Sequence, residues 1–319
     1  MAGAPIYDTI AVIGCGLIGG SLARAARLTG AANTIVIAEQ GPAKARVEEL
    51  RLGDRVTSDL CEAVKDADLV VFATPVRAIG PAAGIAAGCY KPGATITDVG
   101  SVKGAVGQAL RASAPSTVFV VPGHPIAGTE HSGPDAGFAE LFENRWTILT
   151  PANDPSPDYQ AAVERLARFW TVLGAKVDAM DEQHHDLVLA VTSHLPHLIA
   201  YNIVGTAADL EEVTQTEVMK YSAGGFRDFT RIAASDPVMW RDVFLTNKDA
   251  VLEILGRFLD DLHSLSRAIR WDDGDKLHAL FTRTRAIRRG IIEAGQETVE
   301  PDFGRHHGHA PVLPGEPSG

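Results

Sequence analysis

Cysteine, basic charge and long apolar runs are all scarce in this chain of 319 residues. Its three cysteines, Cys15, Cys61 and Cys89, are too few and too scattered for a disulfide framework or a CxxC metal site, and they fit a reducing cytoplasm. No apolar run reaches the roughly 18 residues of a membrane span, and the N-terminus lacks the basic and apolar regions of a secretory signal. We therefore expect a cytoplasmic protein without a membrane segment.

Acidic residues outnumber basic ones, with 40 Asp and Glu against 29 Lys and Arg, so the formal net charge is −11. Nucleic acid and anionic lipid both require a basic surface, and this balance disfavours either as the main partner. A small anionic substrate is compatible with it, because one well-placed arginine can bind a carboxylate against the overall field. The hydrophobic content of 45% is typical of a globular protein, and the length predicts two domains.

Short apolar segments alternate with helical segments in the first half of the chain. Residues 9–13 are apolar on both faces, which is typical of a buried parallel strand. Similar segments follow at 34–38, 68–73, 94–98, 118–121, 146–150 and 175–179. Strands joined by crossover helices predict an α/β fold, a doubly wound parallel sheet of the Rossmann type over residues 1–180.

Helical periodicity replaces the strand pattern after Asp181. Beyond Asn247, a candidate N-cap, apolar residues recur at steps of four and three. The stripe comprises Val251, Leu255, Phe258, Leu262, Leu265 and Ile269, and is widened by Leu252, Ile254 and Leu259. A single core needs an apolar face only about 100° wide. The wider stripe favours an all-helical domain over 181–297 that forms a homodimer interface, with a central helix of a monomeric bundle as the alternative.

The end of the chain, residues 298–319, contains four prolines together with His306, His307 and His309. This composition predicts a disordered, solvated tail. Metal binding by the three histidines is the less favoured interpretation.

A GxGxxG loop follows the first predicted strand and opens the first predicted helix. Its glycines are Gly14, Gly16 and Gly19, with Leu17 and Ile18 between the last two. In this context the glycines provide a tight turn, a close approach to a pyrophosphate, and close packing of helix on strand. The phosphates would lie at the N-terminus of the helix, where free N–H groups favour anions. A glycine-rich turn without a ligand is the alternative.

Glu39, at the end of the second predicted strand, bears on the choice of cofactor. A carboxylate there accepts hydrogen bonds from the ribose hydroxyls and repels a 2′-phosphate, and the next residue is Gln40 rather than arginine. We therefore expect NAD rather than NADP, unless Glu39 only begins a loop. Thr74 and Pro75 follow the 68–73 strand, where they either line the cofactor cleft or simply end the strand.

Two polar residues are expected where strands end at the carboxyl edge of the sheet. His124, in the segment Gly-His-Pro-Ile-Ala-Gly-Thr-Glu of 123–130, can titrate near neutral pH, although a histidine in a loop is often idle. Ser101 ends a strand and begins a helix, where capping and a functional role are compatible.

Further polar residues lie in the helical half. In the segment 193–197, Ser-His-Leu-Pro-His, the two histidines share a helix face, but no third ligand for a metal is evident. Arg227 and Arg231 are four residues apart on a predicted helix, and either is a candidate for a surface ion pair.

Taken together, these motifs resemble the prephenate/arogenate dehydrogenase family of tyrosine biosynthesis. The matching segments occur in order along the chain: 14–19, 98–103, 123–130, 193–197 and 226–237, followed by Trp240. The resemblance implies a dinucleotide domain followed by a helical dimerisation domain. It implies the oxidative decarboxylation of prephenate and/or arogenate with hydride transfer to NAD+, which gives 4-hydroxyphenylpyruvate and/or tyrosine.

The resemblance also implies individual roles. His124 would accept the proton of the ring hydroxyl, while Ser101 would hydrogen-bond that hydroxyl and orient His124. Arg231 would bind a substrate carboxylate. The substrate pocket would be completed by Ser193, His197, Thr129, Glu130 and Trp240, the last reaching the site from the partner subunit.

Two other functions are compatible with the two-domain plan. A dehydrogenase of the β-hydroxyacid or 6-phosphogluconate type uses a lysine of the helical domain, but no lysine occurs between Asp181 and Val218. A non-catalytic NAD-binding sensor would not need Ser101, His124 and Arg231 in these contexts. We also expect neither a preceding mutase domain nor an appended regulatory domain, so tyrosine inhibition would compete with the substrate.

Overall fold

The structure is a computed structural model that describes residues 4–209 and 224–293. The tail predicted over 298–319 lies outside these residues. Contacts within the chain form two compact units that part between Leu255 and Gly256. The first unit contains every strand and every described residue proposed for the active site.

A six-stranded parallel sheet forms the centre of the first unit, in the order β3-β2-β1-β4-β5-β6. Its strands are β1 (Tyr7–Ile13), β2 (Ala32–Ala38), β3 (Arg55–Thr57), β4 (Leu69–Phe72), β5 (Thr95–Asp98) and β6 (Phe119–Val120). The order reverses beside β1, and in open α/β sheets this switch point is where ligands bind. The predicted doubly wound sheet is confirmed, with the short strand β3 as an addition.

The sheet is buried on both faces, which explains why β4 is apolar throughout and why β1 and β2 end in apolar runs. Ile10 and Val12 of β1 belong to one core cluster, and the alternate residues Ala11 and Ile13 belong to the other. Burying one such aliphatic side chain stabilises the fold by roughly 1.5–3 kcal/mol. The helices of this region are α1 (Leu17–Thr29), α2 (Gly41–Glu49), α3 (Leu60–Val64), α4 (Val76–Ala86), α5 (Gly104–Ser113) and α6 (Pro157–Val172).

A separate three-stranded sheet follows, in the order β7-β8-β9. It consists of β7 (Gly123–Pro125), β8 (Trp146–Leu149) and β9 (Lys176–Ala179), with β7 antiparallel to β8 and β8 parallel to β9. The segments 146–150 and 175–179 were predicted to extend the doubly wound sheet, and that prediction is wrong. They pair instead with β7, whose Gly-His-Pro sequence has no strand pattern, and this pairing places His124 opposite Ile148.

The described residues after Asp181, 182–209 and 224–293, are mainly helical, as predicted. Its elements are α7 (Glu182–Leu189), a π-helical turn (Ala190–His194), α8 (Leu195–Ala208), α9 (Gly224–Thr230), a 3₁₀ turn (Arg231–Ala234), α10 (Pro237–Thr246), α11 (Lys248–Arg270) and α12 (Gly274–Glu293). Asn247 directly precedes α11, and its backbone carbonyl accepts the N–H of Val251 at 3.0 Å, while its side-chain nitrogen donates to the carbonyl of Asp186 at 2.8 Å.

One expectation drawn from scarcity is corrected. Cys61 and Cys89 form a disulfide with a Cα–Cα distance of 5.2 Å, because α3 and α4 pack side by side, while Cys15 is a buried free thiol. The helical run Glu182–Ala208 is long and apolar enough to cross a membrane, with a mean hydropathy of 1.4. Two side chains of this run, His185 and Asp186, bond to the dinucleotide half.

Candidate active site

The glycine loop has the geometry that a bound dinucleotide requires. Gly14 has a φ of +90°, and a Cβ at this position would lie 2.8 Å from Cγ2 of Thr74. A Cβ on Gly19 would collide with the carbonyl oxygen of Gly14. Gly16, by contrast, has open space where its Cβ would stand, within the described chain. Leu17 and Ile18 follow it as the first residues of α1, where backbone N–H groups have no partner within the helix.

Glu39 lies directly beside the loop. Its Oε2 accepts a hydrogen bond from the backbone N–H of Cys15 at 2.7 Å, and its Oε1 accepts one from Gln40 at 2.9 Å. The carboxylate is therefore held next to the phosphate-binding turn. Burial, together with this carboxylate, raises the pKa of the Cys15 thiol to about 12, so the thiol stays protonated.

Thr74 and Pro75 adjoin the loop from β4. Pro75 precedes the first residue of α4, and Thr74 contacts Gly14. The Thr74 hydroxyl is buried and has no hydrogen-bond partner among the described residues. A bound dinucleotide could satisfy this buried polar atom beside the glycine loop, so these residues fit such a cofactor.

His124 begins a row of three polar side chains. Its Nδ1 lies 2.9 Å from Nε2 of His185, and Nδ1 of His185 lies 2.8 Å from Oδ1 of Asp186. Asp186 in turn accepts the backbone N–H groups of Lys103 at 2.7 Å and Gly104 at 2.9 Å, where α5 begins. Burial holds the pKa of His124 well below 6.5, and His185 and Lys103 lower it further.

A buried ion pair fixes the strand that carries His124. Nζ of Lys103 donates to the Asp98 carboxylate and, at 2.6 Å, to the carbonyl of Gly123. Asp98 also accepts the N–H groups of Gly100 at 2.8 Å and Gly123 at 3.3 Å. These bonds connect the Asp98–Lys103 segment, which contains Ser101, to β7. The Ser101 hydroxyl makes no hydrogen bond to His124 in the described part of the chain, so its orienting role stays a prediction.

The two histidines of the 193–197 segment have different partners. His194 is fully buried, with Nδ1 3.1 Å from Nδ2 of Asn247, and burial lowers its pKa to about 4. The Nδ1 atom of His197 lies 2.8 Å from the carbonyl oxygen of Ser193. The π-helical turn precedes Pro196, which lacks an N–H, and such turns are frequent at functional sites.

Trp240 packs against aromatic side chains of its own chain. Its indole stacks on the imidazole of His197 at 3.6 Å between centroids and an interplanar angle of 23°. The contribution of Trp240 from the partner subunit stays a prediction. The indole Nε1 is buried without a hydrogen-bond partner in the described chain.

Arg231 and Glu130 connect the helical half to the loop after β7. Nη1 of Arg231 lies 3.2 Å from Oε2 of Glu130, and both side chains are 29% exposed. Thr129 accepts the backbone N–H of His131 on its hydroxyl at 3.2 Å, which shapes the same loop. Burial lowers the pKa of His197, the hydrogen bond with Ser193 opposes this, and the charge of Arg231 lowers the pKa further.

Sequence reasoning missed His185 and Asp186, and it treated Lys103 only as part of a motif. The adjacent His184, His185 and Asp186 at the start of the helical half were the available signal. The pairing of His185 with His124 spans 61 residues, and no periodicity predicts it.

Comparison with known proteins extends these observations. Residues 22–179 match the family described as prephenate dehydrogenase, nucleotide-binding domain, and residues 181–283 match prephenate dehydrogenase, dimerization domain. A cyclohexadienyl dehydrogenase of Zymomonas mobilis is 44% identical over 90% of this chain and 97% of its own length. A prephenate dehydrogenase of Bacillus subtilis is 35% identical over 89% of this chain and 76% of its own length.

A solved structure has the same fold. The crystal structure of prephenate dehydrogenase from A. aeolicus, in complex with hydroxyphenyl propionate and NAD+, superposes with a TM-score of 0.81 at 32% identity, and the match covers 89% of this chain and 98% of that one. The resemblance inferred from the motifs is confirmed, and the chain belongs to the prephenate dehydrogenase family.

Proposed function

We propose that this chain catalyses the oxidative decarboxylation of prephenate and/or arogenate with NAD+, and that 4-hydroxyphenylpyruvate and/or tyrosine is formed. The observation that carries the proposal is His124, a buried imidazole kept neutral at physiological pH, with one nitrogen already engaged by His185. It lies where the dinucleotide sheet ends. Such a group can accept a proton beside a bound cofactor and serve as a general base.

The cofactor is proposed to lie along the glycine loop. The N-terminus of α1 would hold the pyrophosphate over Gly16, and Glu39 would accept the ribose hydroxyls. Thr74 would hydrogen-bond the dinucleotide with its unpartnered hydroxyl. When bound, NAD+ supplies the hydride acceptor for the substrate.

The substrate is a cyclohexadienol that carries a ring carboxylate. Its hydroxyl proton passes to Nε2 of His124 while Ser101 hydrogen-bonds the same hydroxyl, and general-base catalysis of this kind contributes typically about 10²–10⁴-fold. Arg231 binds a carboxylate. Loss of CO₂ makes the ring aromatic, which drives the reaction. His197 lies against Trp240 and completes the pocket with Ser193, Thr129 and Glu130.

The two candidate substrates differ by a keto group or an ammonium group on the side chain. Curated and solved relatives include a prephenate dehydrogenase of B. subtilis and an arogenate dehydrogenase of Synechocystis. Both substrates therefore remain part of the proposal.

A homodimer through the helical half is also proposed, with residues 1–180 as the dinucleotide domain and 181–297 as the substrate and dimerisation domain. The second compact unit presents exposed apolar side chains on α11 and α12: Leu259, Leu262, Ile269, Phe281, Ile287 and Ile291. Exposed apolar surface of this extent marks an interaction site. The family description of residues 181–283 as a dimerization domain supports the same arrangement.

One assay tests the proposed activity. Purified protein is given prephenate or arogenate with NAD+ or NADP+, and formation of the reduced cofactor is followed by absorbance. We expect turnover with at least one substrate and a preference for NAD+ in kcat/KM. Absence of turnover with both substrates would overturn the proposal, and a β-hydroxyacid panel then tests the main alternative enzyme class.

A further inference from the structure

Behind His124, away from the face that meets the substrate, lie two side chains to which the family comparison assigns nothing. We propose that His185 and Asp186 are positioning residues: they hold His124 in the tautomer whose Nε2 is free, and they share the positive charge that His124 gains. The proposal rests on the proposed function, since it assigns the proton acceptor of that reaction. Its geometric part stands independently on the contacts of three side chains.

The row is anchored at Asp186. Although burial alone would raise the pKa of Asp186, the hydrogen bonds from His185, Lys103 and Gly104 lower it below its ordinary value. Both carboxylate oxygens accept backbone N–H groups at the start of α5, where the helix dipole also favours a negative charge. Asp186 is therefore ionised and can only accept hydrogen bonds.

Proton assignment along the row follows from that anchor. Because Asp186 is an acceptor, Nδ1 of His185 carries a proton, and Nε2 of neutral His185 is then a bare acceptor. Nδ1 of His124 must supply the proton in the 2.9 Å contact between the two rings. This leaves Nε2 of His124 without a proton, which is the state that a general base needs.

Burial and the charge of Lys103 favour two neutral rings, although Asp186 and Asp98 act in the opposite direction on His185. Lys103 and His194 face His124, and Lys103, Asp98 and Asp186 act on His185. Burial lowers the pKa of both rings, and Lys103 lowers both further. Both rings are therefore neutral before the reaction, and the first proton that they accept is the hydroxyl proton of the substrate.

The proton balance of the reaction requires His124 to hold one proton only temporarily. A hydride, which is one proton with two electrons, leaves C4 of the substrate, and the hydroxyl proton moves to Nε2 of His124. When the bond from C1 to the carboxylate breaks, its electron pair enters the ring, and the phenolic oxygen takes the proton back. For prephenate, the sum is prephenate plus NAD+ giving 4-hydroxyphenylpyruvate, CO₂ and NADH, with no proton released. The row therefore needs only to stabilise the imidazolium between the two steps.

His185 is a better test position than Asp186, because Asp186 also binds the start of α5. His185→Phe keeps a ring but removes the acceptor for Nδ1 of His124. His185→Gln retains an acceptor oxygen but cannot take up charge. His184→Gln is the matched control, since His184 is the adjacent residue on α7 and its side chain is exposed.

The kinetic expectations separate positioning from folding. For H185F we expect kcat to fall about 10²–10³-fold, for H185Q about 10-fold, and for H184Q not at all. The KM of the substrate and the Kd of NAD+ should stay within about twofold in all three, because none of them touches either ligand. A merely structural role would instead weaken ligand binding in H185F and H185Q alike and would show no partial rescue by glutamine.

The deciding readout is independent of turnover. In protein labelled with ¹⁵N-histidine, the ring nitrogen signals of His124, assigned by their loss in H124N, report which nitrogen carries the proton. We expect a protonated Nδ1 and a bare Nε2 in the wild type and in H185Q, and a mixture of tautomers in H185F. A proton on Nε2 of His124 in the wild type, or an unchanged kcat in H185F, would overturn the proposal. Failure to oxidise either substrate would overturn the proposed function alone, since the tautomer would still be measured.

Discussion

Oε2 of Glu130 lies 3.2 Å from Nη1 of Arg231, so the arginine proposed to bind a substrate carboxylate already holds a carboxylate of the protein. Both side chains are partly exposed, and ion pairs of this kind contribute only about 0–1 kcal/mol. A substrate carboxylate can therefore replace Glu130 at little cost. The pair keeps the arginine oriented. Its positive charge can attract an anionic substrate, which the overall charge of −11 would otherwise repel.

Arg231→Ala should act mainly on substrate binding. We expect KM to rise about 10- to 100-fold with kcat changed only a few-fold, because the lost contact is present in both the bound substrate and the transition state. Steady-state kinetics with saturating NAD+ measure both constants. Arg227→Ala, one helical turn earlier and exposed, is the matched control and should behave as the wild type. An unchanged KM in R231A would remove Arg231 from this role.

Glu39→Gln should relax the cofactor preference. Glutamine retains an oxygen that can accept the N–H of Cys15, but it no longer repels a 2′-phosphate. We expect the ratio of kcat/KM for NAD+ over NADP+ to fall about 10-fold or more, which corresponds to about 1.4 kcal/mol. Glu48→Gln, exposed on α2, should leave the ratio unchanged. The role of Glu39 is contradicted if E39Q discriminates as well as the wild type.

Turnover should persist into mildly acidic solution. The pKa of His124 lies well below 6.5 because the ring is buried and faces His185 and Lys103, so the base stays neutral at pH 6.5 and loses activity only at lower pH. The pH profile of kcat measures this, with product formation checked by chromatography. A fall in kcat that is centred at or above pH 6.5 would show that His124 has no lowered pKa in the complex.

Stability should decrease in acid because of His194. Its pKa is about 4 in the folded chain against 6.5 ordinarily, so between these values the unfolded state binds more protons. The contribution of this neutral ring is complete above about pH 6.5 and is lost as the pH falls toward 4. We expect Tm to decline over this window in the wild type and to decline less in His194→Gln. Equal slopes for the two proteins would contradict the assignment.

Local periodicity predicted most of the fold and the cofactor loop. The strand that contains Ile10 is apolar on both faces because both faces are buried. Gly14, Gly16 and Gly19 lie in a single turn, so their spacing can be read directly from the sequence. Features fixed by a few neighbouring residues are visible in a sequence.

Features that depend on distant partners were missed or misplaced. β7 forms a strand only because β8 is available to pair with it, and the Cys61–Cys89 disulfide depends on the packing of α3 against α4. His185 gains its proposed role only through its contact with His124, 61 residues away in the sequence. No local pattern encodes such contacts, since the residues are brought together by the tertiary fold.

The central claim is that His124 is the proton acceptor of an NAD-dependent oxidative decarboxylation. The most direct test is kcat of His124→Asn with saturating NAD+ and substrate, beside the Kd of NAD+ for the same variant. We predict a loss of kcat of at least ~10²-fold with an unchanged Kd, because the side chain meets the reacting hydroxyl and not the dinucleotide. A variant that turns over within a few-fold of the wild type would contradict the account.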